Sequence, residues 1–158
     1  MRFAALPLLA LAALSPASSQ APLAAPAVQA GPFDASRDAA RDLQAAKAEA
    51  KKSGRRILLD VGGNWCSWCR LMDRWYAEQK DVRELRDRNF VVLLVNYSPE
   101  NKNEALLGQF PKITGYPHFF VLDASGKLLQ SQDTGGLEDG KGYSRAKMRA
   151  FLQAWSGK

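Results

Sequence analysis

Two cysteines, Cys66 and Cys69, are the only thiols of the chain, and they stand where a strand pattern gives way to a helix pattern. The apolar run 57–61 predicts the strand, and the helix pattern begins at the cysteines. On the first turn of a helix, free backbone N–H groups and the positive end of the helix dipole stabilise a thiolate, which is the reactive form of cysteine. The C-x-x-C spacing therefore predicts a redox site whose thiols can close a small disulfide ring.

Metal binding by the two cysteines is the first alternative to a redox pair. A structural zinc site needs four ligands, but the chain has one histidine, His118, and no further cysteine. Haem attachment needs a histidine directly after the second cysteine, where this chain has Arg70. We therefore expect no bound metal. A purely structural disulfide stays open, although closing so short a loop removes little chain entropy and stabilises a fold little.

The N-terminal residues 1–19 have the pattern of a signal peptide. Arg2 supplies a positive charge, the run 3–14 is apolar, and the small residues after it predict cleavage after Ala17 or Ser19. The apolar run is shorter than the roughly 20 residues that span a bilayer. The mature chain is therefore expected to be exported to the periplasm as a soluble protein without a membrane span, in a compartment where disulfides persist.

Two further segments follow the signal peptide. Residues 20–33 are rich in Ala and Pro and lack a regular apolar period, which predicts a flexible tether. Residues 34–158 are the candidate domain, and the hydrophobic share of 46% in the whole chain is enough for a core. The net charge of +6 is spread along the chain rather than gathered in a basic stripe with aromatic residues, so nucleic acid is not an expected partner.

The apolar periodicity of the domain predicts helix, strand, helix, strand, helix, strand, strand and helix in that order. Helical crossovers between strands, followed by one terminal hairpin, indicate an α/β domain with a mixed sheet. The run 90–95 is expected to be a central strand covered on both faces. A first helix is expected over 34–53, capped by Asp34 or Ser36 and ended by Gly54. We also expect a helix cap at Asp81, a polar loop over 138–142, and a cap of the last helix at Ser144.

The sequence W-C-S-W-C at 65–69, with Asp60 in the strand before it and G-Y-P at 115–117 ahead of a later strand, resembles the thioredoxin superfamily. It is most similar to an exported thioredoxin-like branch that includes the C-terminal domains of transmembrane electron-transfer proteins. The resemblance covers residues 34–155. It implies a thioredoxin-like fold, with a central mixed β-sheet flanked by helices and a C-terminal β-hairpin and helix.

The resemblance implies a role for each reactive residue. Cys66 would be the exposed nucleophile that attacks a substrate disulfide, and Cys69, turned inward along the helix, would be the resolving thiol. Pro117 would be the cis-proline that faces the dithiol and turns neighbouring backbone toward the substrate chain. Asp60 would take part in proton relay from Cys69.

Asp60 is also unusual for its position, because it interrupts the apolar strand pattern 57–61. Burial of a carboxyl group disfavours its charged form and raises its pKa, which suits proton transfer near neutral pH. The alternative is a structural ion pair with one of three cations, Arg55, Arg56 or Lys127.

Three aromatic residues near the motif, Trp65, Trp68 and Tyr116, are expected to form an apolar rim that contacts the substrate. Ser67 and Trp68 stand where thioredoxins typically have Gly-Pro. Residues between the cysteines influence the redox potential, and redox-active pairs of this kind range from about −270 to −120 mV. The direction of electron flow is therefore open at this point.

Together these features predict an exported thiol-disulfide oxidoreductase, and within that class a protein-disulfide reductase rather than an enzyme that forms disulfides. The resemblance implies that the disulfide between Cys66 and Cys69 is the redox group, with no other cofactor, and that a membrane electron donor re-reduces it. Protein disulfides are the expected substrates, and a monomer is the expected state. Two alternatives are a binding module of the same fold with a structural disulfide, and a Cu(I)-handling protein.

Overall fold

A computed structural model of the protein describes residues 31–157. The predicted signal peptide, 1–19, lies outside the described residues, and so does most of the predicted tether, 20–33. Within the described part of the chain, no helix is both long and apolar enough to cross a membrane.

The elements follow the predicted order, except that two helices lie between the first two strands and that a 3-10 turn and two very short strands are added near the C-terminus. They are α1 (Ala39–Ser53), β1 (Arg56–Gly62), α2 (Ser67–Glu78), α3 (Lys80–Asn89), β2 (Phe90–Asn96), α4 (Glu104–Leu107), β3 (His118–Leu122), β4 (Leu128–Asp133), a 3-10 turn (Thr134–Leu137), β5 (Glu138–Asp139), β6 (Gly142–Tyr143) and α5 (Arg145–Ala154). The main sheet has the order β2-β1-β3-β4. β1 is parallel to β2 and antiparallel to β3, and β3 and β4 form the hairpin. The predicted mixed sheet with a C-terminal hairpin and helix is confirmed.

Strand β1 lies inside the sheet and divides the core in two. Ile57, Leu59 and Val61 are fully buried on the face that packs against α1 and α4. Leu58 is fully buried on the opposite face, against α2, α3 and α5. Successive side chains of a strand point to opposite faces, so Asp60 lies on the same face as Leu58. Each such aliphatic side chain contributes about 1.5–3 kcal/mol when it is fully buried, and β1 is therefore held firmly under the cysteines.

Strand β2 lies at the edge of the sheet, and the prediction that it is the central strand is wrong. It pairs only with β1 within the described sheet. Its residues 91–94 are half-buried, with Val91 packing on the α1 side and Val92 on the α2 side. A continuous apolar run indicates cover on both faces of a strand. Such a run carries no information on which strands pair with the two edges of the strand.

Helix α1 begins at Ala39, five residues later than predicted, and Asp38 caps it by accepting hydrogen bonds from the N–H groups of Ala40 and Arg41. Asp34 instead accepts from the backbone N–H and the hydroxyl of Ser36, in a turn of their own. Local side-chain bonds of this kind compete with helix capping. The predicted end at Gly54 is confirmed, and this glycine has a left-handed φ of 71°.

Two predictions for the second half of the chain need correction. Asp81 does not cap α3, because the helix begins at Lys80 and Asp81 pairs with Arg145 and Arg149 of α5. The predicted polar loop 138–142 contains the short antiparallel pair β5 and β6. The cap of α5 at Ser144 is confirmed, since its hydroxyl accepts a hydrogen bond from the N–H of Lys147.

Candidate active site

The two cysteines lie where β1 leads into α2, as the strand-to-helix pattern predicts. Cys66 is the N-cap of α2, and its Sγ accepts a hydrogen bond of 3.1 Å from the backbone N–H of Cys69. The two residues are joined by a disulfide, with 5.2 Å between their Cα atoms. A sulfur at this position faces the unpaired N–H groups of the first helical turn, which favour negative charge. When the disulfide is reduced, the geometry therefore favours the thiolate of Cys66.

Neither sulfur-bearing side chain is open to solvent. Cys66 is 5% exposed and Cys69 is 2% exposed, so the expectation that Cys66 is exposed is wrong for this form of the protein. Both cysteines pack in one cluster with Phe33, and Tyr116 is packed against it. The cover comes from segments distant in sequence, which the local motif does not indicate.

Gly62 allows β1, Phe33 and α2 to approach each other closely beneath the disulfide. A Cβ at this position would lie 2.6 Å from Sγ of Cys69 and 3.1 Å from Cζ of Phe33. A contact of 2.6 Å is too short for any real side chain, so either the sulfur or the backbone would have to move. The glycine is therefore a steric requirement of this site.

Gly62→Ala is expected to destabilise the oxidised protein by about 1–3 kcal/mol, which is typical of overpacking in a buried site. The measurement is urea unfolding of the oxidised protein. Gly142→Ala is the matched control, because nothing lies within 4 Å of a Cβ built there, and its stability should stay within about 1 kcal/mol of the wild type. Equal unfolding midpoints for the two variants would contradict the steric role of Gly62.

The carboxyl group of Asp60 is buried beneath the cysteines. Asp60 is 6% exposed, and its Oδ1 has no hydrogen-bond partner. Burial raises the pKa of this carboxyl to about 7, the positive charge of Arg86 opposes the rise, and the negative charge of Asp73 adds to it. At neutral pH the group is therefore divided between its two forms, and it can both accept and release a proton.

The ion pair considered for Asp60 is not what the structure shows. Arg55 pairs with Glu49, and the guanidinium of Arg56 donates to the carbonyl of Trp155. Lys127 is exposed and is not among the charges that act on Asp60. The cation that acts on Asp60 is Arg86 of α3, a residue for which the sequence offered no signal, because it becomes a neighbour only when α3 packs beside α2.

A cavity of about 260 Å³ connects the acid to the inner cysteine. Asp60 and Cys69 both line it, together with apolar residues of α2 and β2 and with the charged side chains of Asp73 and Arg86. A volume of this size has room for several water molecules, at about 30 Å³ each. The arrangement therefore provides a short path for a proton between Cys69, Asp60 and solvent.

The loop before β3 faces the outer cysteine. The peptide bond between Tyr116 and Pro117 is cis, and the carbonyl oxygen of Tyr116 lies 3.5 Å from Sγ of Cys66. The carbonyl of Pro117 accepts a hydrogen bond of 2.6 Å from the hydroxyl of Thr134. Pro117 has no N–H, and its neighbouring backbone lies beside the disulfide.

The three residues of the predicted aromatic rim take different positions around the cysteines. Trp65 is 48% exposed, and its ring lies edge-on to that of Tyr116, with 5.6 Å between the ring centroids. Trp68 packs both against the cluster of Phe33 and the two cysteines and against Tyr143 and the core on the α2 side. The structure adds Tyr97, whose ring stacks on Tyr116 at 5.1 Å and whose carbonyl accepts a 2.6 Å hydrogen bond from the indole N–H of Trp65.

Besides Arg86, two groups at the site were missed in the sequence, and both of these had a weak signal. Tyr97 follows β2, and because β1 and β2 are parallel, their C-terminal ends meet at one edge of the sheet. Phe33 is the only aromatic residue in the predicted tether 20–33. Phe33 is buried, so the last residue of this segment packs with the domain.

In the described part of the chain, no group of three or more His, Cys, Asp or Glu side chains is placed to hold a metal ion. The single histidine, His118, is buried at the start of β3, where its Nε2 lies 2.9 Å from the hydroxyl of Ser131.

Two known proteins are similar to this chain in sequence. The disulfide bond reductase DsbH of Chlamydia pneumoniae is 30% identical over 105 residues, which are 61% of each chain. The thiol:disulfide interchange protein DsbD of Pseudomonas fluorescens is 30% identical over 116 residues, which are 73% of this chain and 18% of that protein. This chain thus spans less than two thirds of the length of these curated relatives.

Solved structures and a family model agree with the fold. A disulphide isomerase from Xylella fastidiosa superposes with a TM-score of 0.67 at 26% identity, covering 78% of this chain and 95% of that one. The C-terminal domain of DsbD from Neisseria meningitidis, in its oxidised form, superposes with a TM-score of 0.56 at 20% identity, covering 75% of this chain and 96% of that one. A family model described as thioredoxin-like matches residues 38–124. The predicted resemblance is confirmed, and the chain belongs to the thioredoxin-like family.

Proposed function

We propose that this chain is a thiol-disulfide oxidoreductase of Dsb type, and that it reduces protein disulfides. The observation that carries the proposal is the pairing of the two cysteines with a buried acid. Cys66 lies at a helix N-terminus with an N–H donated to its sulfur, and Cys69 shares a cavity with Asp60. The names of the relatives, a disulfide bond reductase and a thiol:disulfide interchange protein, support the same reaction class.

The reaction begins with the reduced dithiol. The Cys66 thiolate attacks one sulfur of a substrate disulfide, so a mixed disulfide forms, the substrate disulfide breaks, and one substrate thiolate leaves and takes up a proton. Cys69 then attacks Sγ of Cys66. The second substrate thiolate leaves, the disulfide between Cys66 and Cys69 forms, and two electrons have passed to the substrate.

Asp60 serves the second step as a proton acceptor. Cys69 must lose its proton before it attacks, and it is buried, so bulk water does not take the proton directly. A carboxylate with a pKa of about 7 in the same cavity is matched to that task at neutral pH. The proton leaves toward the margin of the cavity lined by Asp73 and Arg86.

The substrate chain docks across the exposed edge of the site. An extended peptide beside Tyr116 and Pro117 brings its disulfide toward Cys66, as in recognition by strand addition. Trp65 and Tyr116 supply apolar contact on one side of it, and Tyr97 supports both rings. Trp68 is not part of this contact in the proposal, because its ring lies edge-on to Tyr143 and packs against the core on the α2 side as well as against the cysteine cluster.

The setting proposed for the reaction follows from the N-terminal sequence and from the relatives. The chain is exported to the periplasm by the signal peptide 1–19, and the tether 20–33 precedes the domain 34–158 and packs against it through Phe33. It works there as a soluble monomer without a bound metal or other cofactor. A membrane electron donor returns the pair to its dithiol form, and the partial match to DsbD supports a donor of that kind.

Cys69→Ala is expected to trap the first intermediate. Without the resolving thiol, reduced protein mixed with oxidised insulin should accumulate a covalent adduct at Cys66 that reductant dissolves. The measurement is intact-mass spectrometry after quenching of free thiols. Cys66→Ala is the matched control and should give no adduct. Adduct formation by the control, and none by Cys69→Ala, would reverse the roles of the two cysteines.

The direction of electron flow is tested by the equilibrium of the disulfide with a glutathione buffer. A protein that reduces disulfides is expected to have a potential more negative than about −200 mV, closer to thioredoxin than to strong oxidants near −120 mV. The measurement is the fraction of oxidised protein after thiol quenching at a series of glutathione ratios. A value near −120 mV would contradict the reducing direction and leave the reaction class unchanged.

A further inference from the structure

Phe33 is anchored against the cysteines by a side chain from the loop that precedes them. Its backbone N–H donates a 3.1 Å hydrogen bond to Oδ1 of Asn64, and its carbonyl accepts a 2.7 Å hydrogen bond from Nδ2 of the same side chain. The ring of Phe33 is 5% exposed and packs in one cluster with Cys66 and Cys69. Both backbone polar groups of one residue are thus held by one amide, which fixes the position of the ring.

The ring lies beside the resolving cysteine in the wall of the cavity. Pro32 and Phe33 line the same cavity as Asp60 and Cys69. The missing Cβ of Gly62 leaves the space into which Cζ of Phe33 and Sγ of Cys69 both project, since an added Cβ would lie 3.1 Å from the first and 2.6 Å from the second. The segment 32–33 therefore forms one wall of the cavity beneath the disulfide.

We propose that Phe33, held by Asn64, is a positioning residue that forms one wall of this cavity and limits the access of bulk solvent to Cys69 and Asp60. The inference rests on the proposed function, because it gives the N-terminal segment a part in the same reaction. Phe33 touches neither a substrate disulfide nor a transferred proton. It acts through the surroundings of the two groups that carry out the resolving step.

The consequence for Asp60 is electrostatic. Its pKa is raised mainly by burial, and burial raises a carboxyl pKa only as long as water is excluded. The charged and titratable groups that face the cavity are Asp73 and Tyr76 from α2 and Arg86 from α3, while Cys69 is held in the disulfide and β2 presents only apolar side chains. Tyr143 of β6 also interacts electrostatically with Asp60. Removal of the Phe33 ring changes none of these groups, so a change in the titration of Asp60 reports on solvent access.

The first readout is the reactivity of Cys69 in a Cys66→Ala background, where it is the single thiol. Adding Phe33→Ala is expected to raise the rate of alkylation by iodoacetamide about tenfold, because thiol reactivity follows exposure. Asn64→Ala, which removes the two hydrogen bonds and leaves the ring, should raise the rate in the same direction. Phe110→Ala is the matched control, since Phe110 stacks on Phe120 in the core on the α1 side, and it should leave the rate unchanged.

The second readout is the titration of Asp60 in the oxidised protein, followed by the carbon NMR signal of its carboxyl group and assigned with Asp60→Asn. Phe33→Ala is expected to lower the midpoint by about one pH unit or more from the wild-type value, and Phe110→Ala to leave it in place. An unchanged alkylation rate and an unchanged midpoint in Phe33→Ala, with Asn64→Ala also like the wild type, would overturn the inference. Neither readout requires turnover, so a failure here is distinct from a failure of the proposed reaction.

Discussion

A Cys66→Ser variant is expected to catalyse no reduction of insulin by dithiothreitol above the rate of the reductant alone. The thiolate at the start of α2 is the nucleophile of the proposed reaction, and a hydroxyl does not form a mixed disulfide. Serine is a favourable N-cap, so the variant keeps an acceptor for the N–H that now bonds to the Cys66 sulfur. The loss of activity is therefore expected without loss of the helix start.

The measurement is the insulin precipitation rate at equal protein concentrations, with helix content checked by circular dichroism. Ser53→Ala, at the C-terminal end of α1, is the control variant and should retain wild-type activity, since its hydroxyl bonds only to the carbonyl of Glu49 and to the guanidinium of Arg55, neither of which belongs to the site. Wild-type rates in Cys66→Ser would refute the proposed reaction and favour the alternative of a binding module with a structural disulfide.

The stability of the oxidised protein is expected to fall as pH rises from about 4 to about 7, because of Asp60. The folded carboxyl has a pKa of about 7, against an ordinary value of 3.8. Between these values the unfolded chain loses the Asp60 proton while the folded protein keeps it, so rising pH favours the unfolded state. The contribution is fully present below the lower pKa and lost above the upper one, and its limit is about 4 kcal/mol.

Asp60→Asn removes this dependence, because an amide does not ionise. The free energy of unfolding of the variant relative to the wild type should therefore increase by up to about 4 kcal/mol between pH 4 and pH 8. The measurement is urea unfolding of both oxidised proteins at several pH values. Asp139→Asn, an exposed change in β5, is the control and should follow the wild-type curve. Parallel curves for wild type and Asp60→Asn would contradict a raised pKa.

Features encoded within a few neighbouring residues were predictable. The C-x-x-C pair at a strand-to-helix junction, the left-handed end of α1 at Gly54 and the cap of α5 at Ser144 each depend on contacts within one turn of the chain. Asp60 could be singled out for a similar reason, because a lone carboxyl in an apolar strand is expensive to bury. Such local contacts are the same whichever elements pack around them.

Local patterns could not show which of several suitable residues would cap a helix or face the solvent. Asp34, Ser36 and Asp38 are all suitable caps for α1, and the choice of Asp38 followed once Asp34 had bonded to Ser36. Trp65 and Trp68 both adjoin a cysteine, yet one is half exposed beside Tyr116 and the other packs against Tyr143. Which of them faces solvent depends on how α2 rests on the sheet.

The sequence by itself determined that a dithiol stands at a helix start, with an acid in the strand before it and a proline ahead of a later strand. Only the tertiary structure decided what surrounds that dithiol. Phe33 reaches it from 33 residues before Cys66, and Tyr97 reaches it from 31 residues after Cys66. Arg86 acts on the pKa of Asp60 because of the way α3 packs. Contacts of such long range depend on the order of strands and the docking of helices, which local residue patterns do not specify.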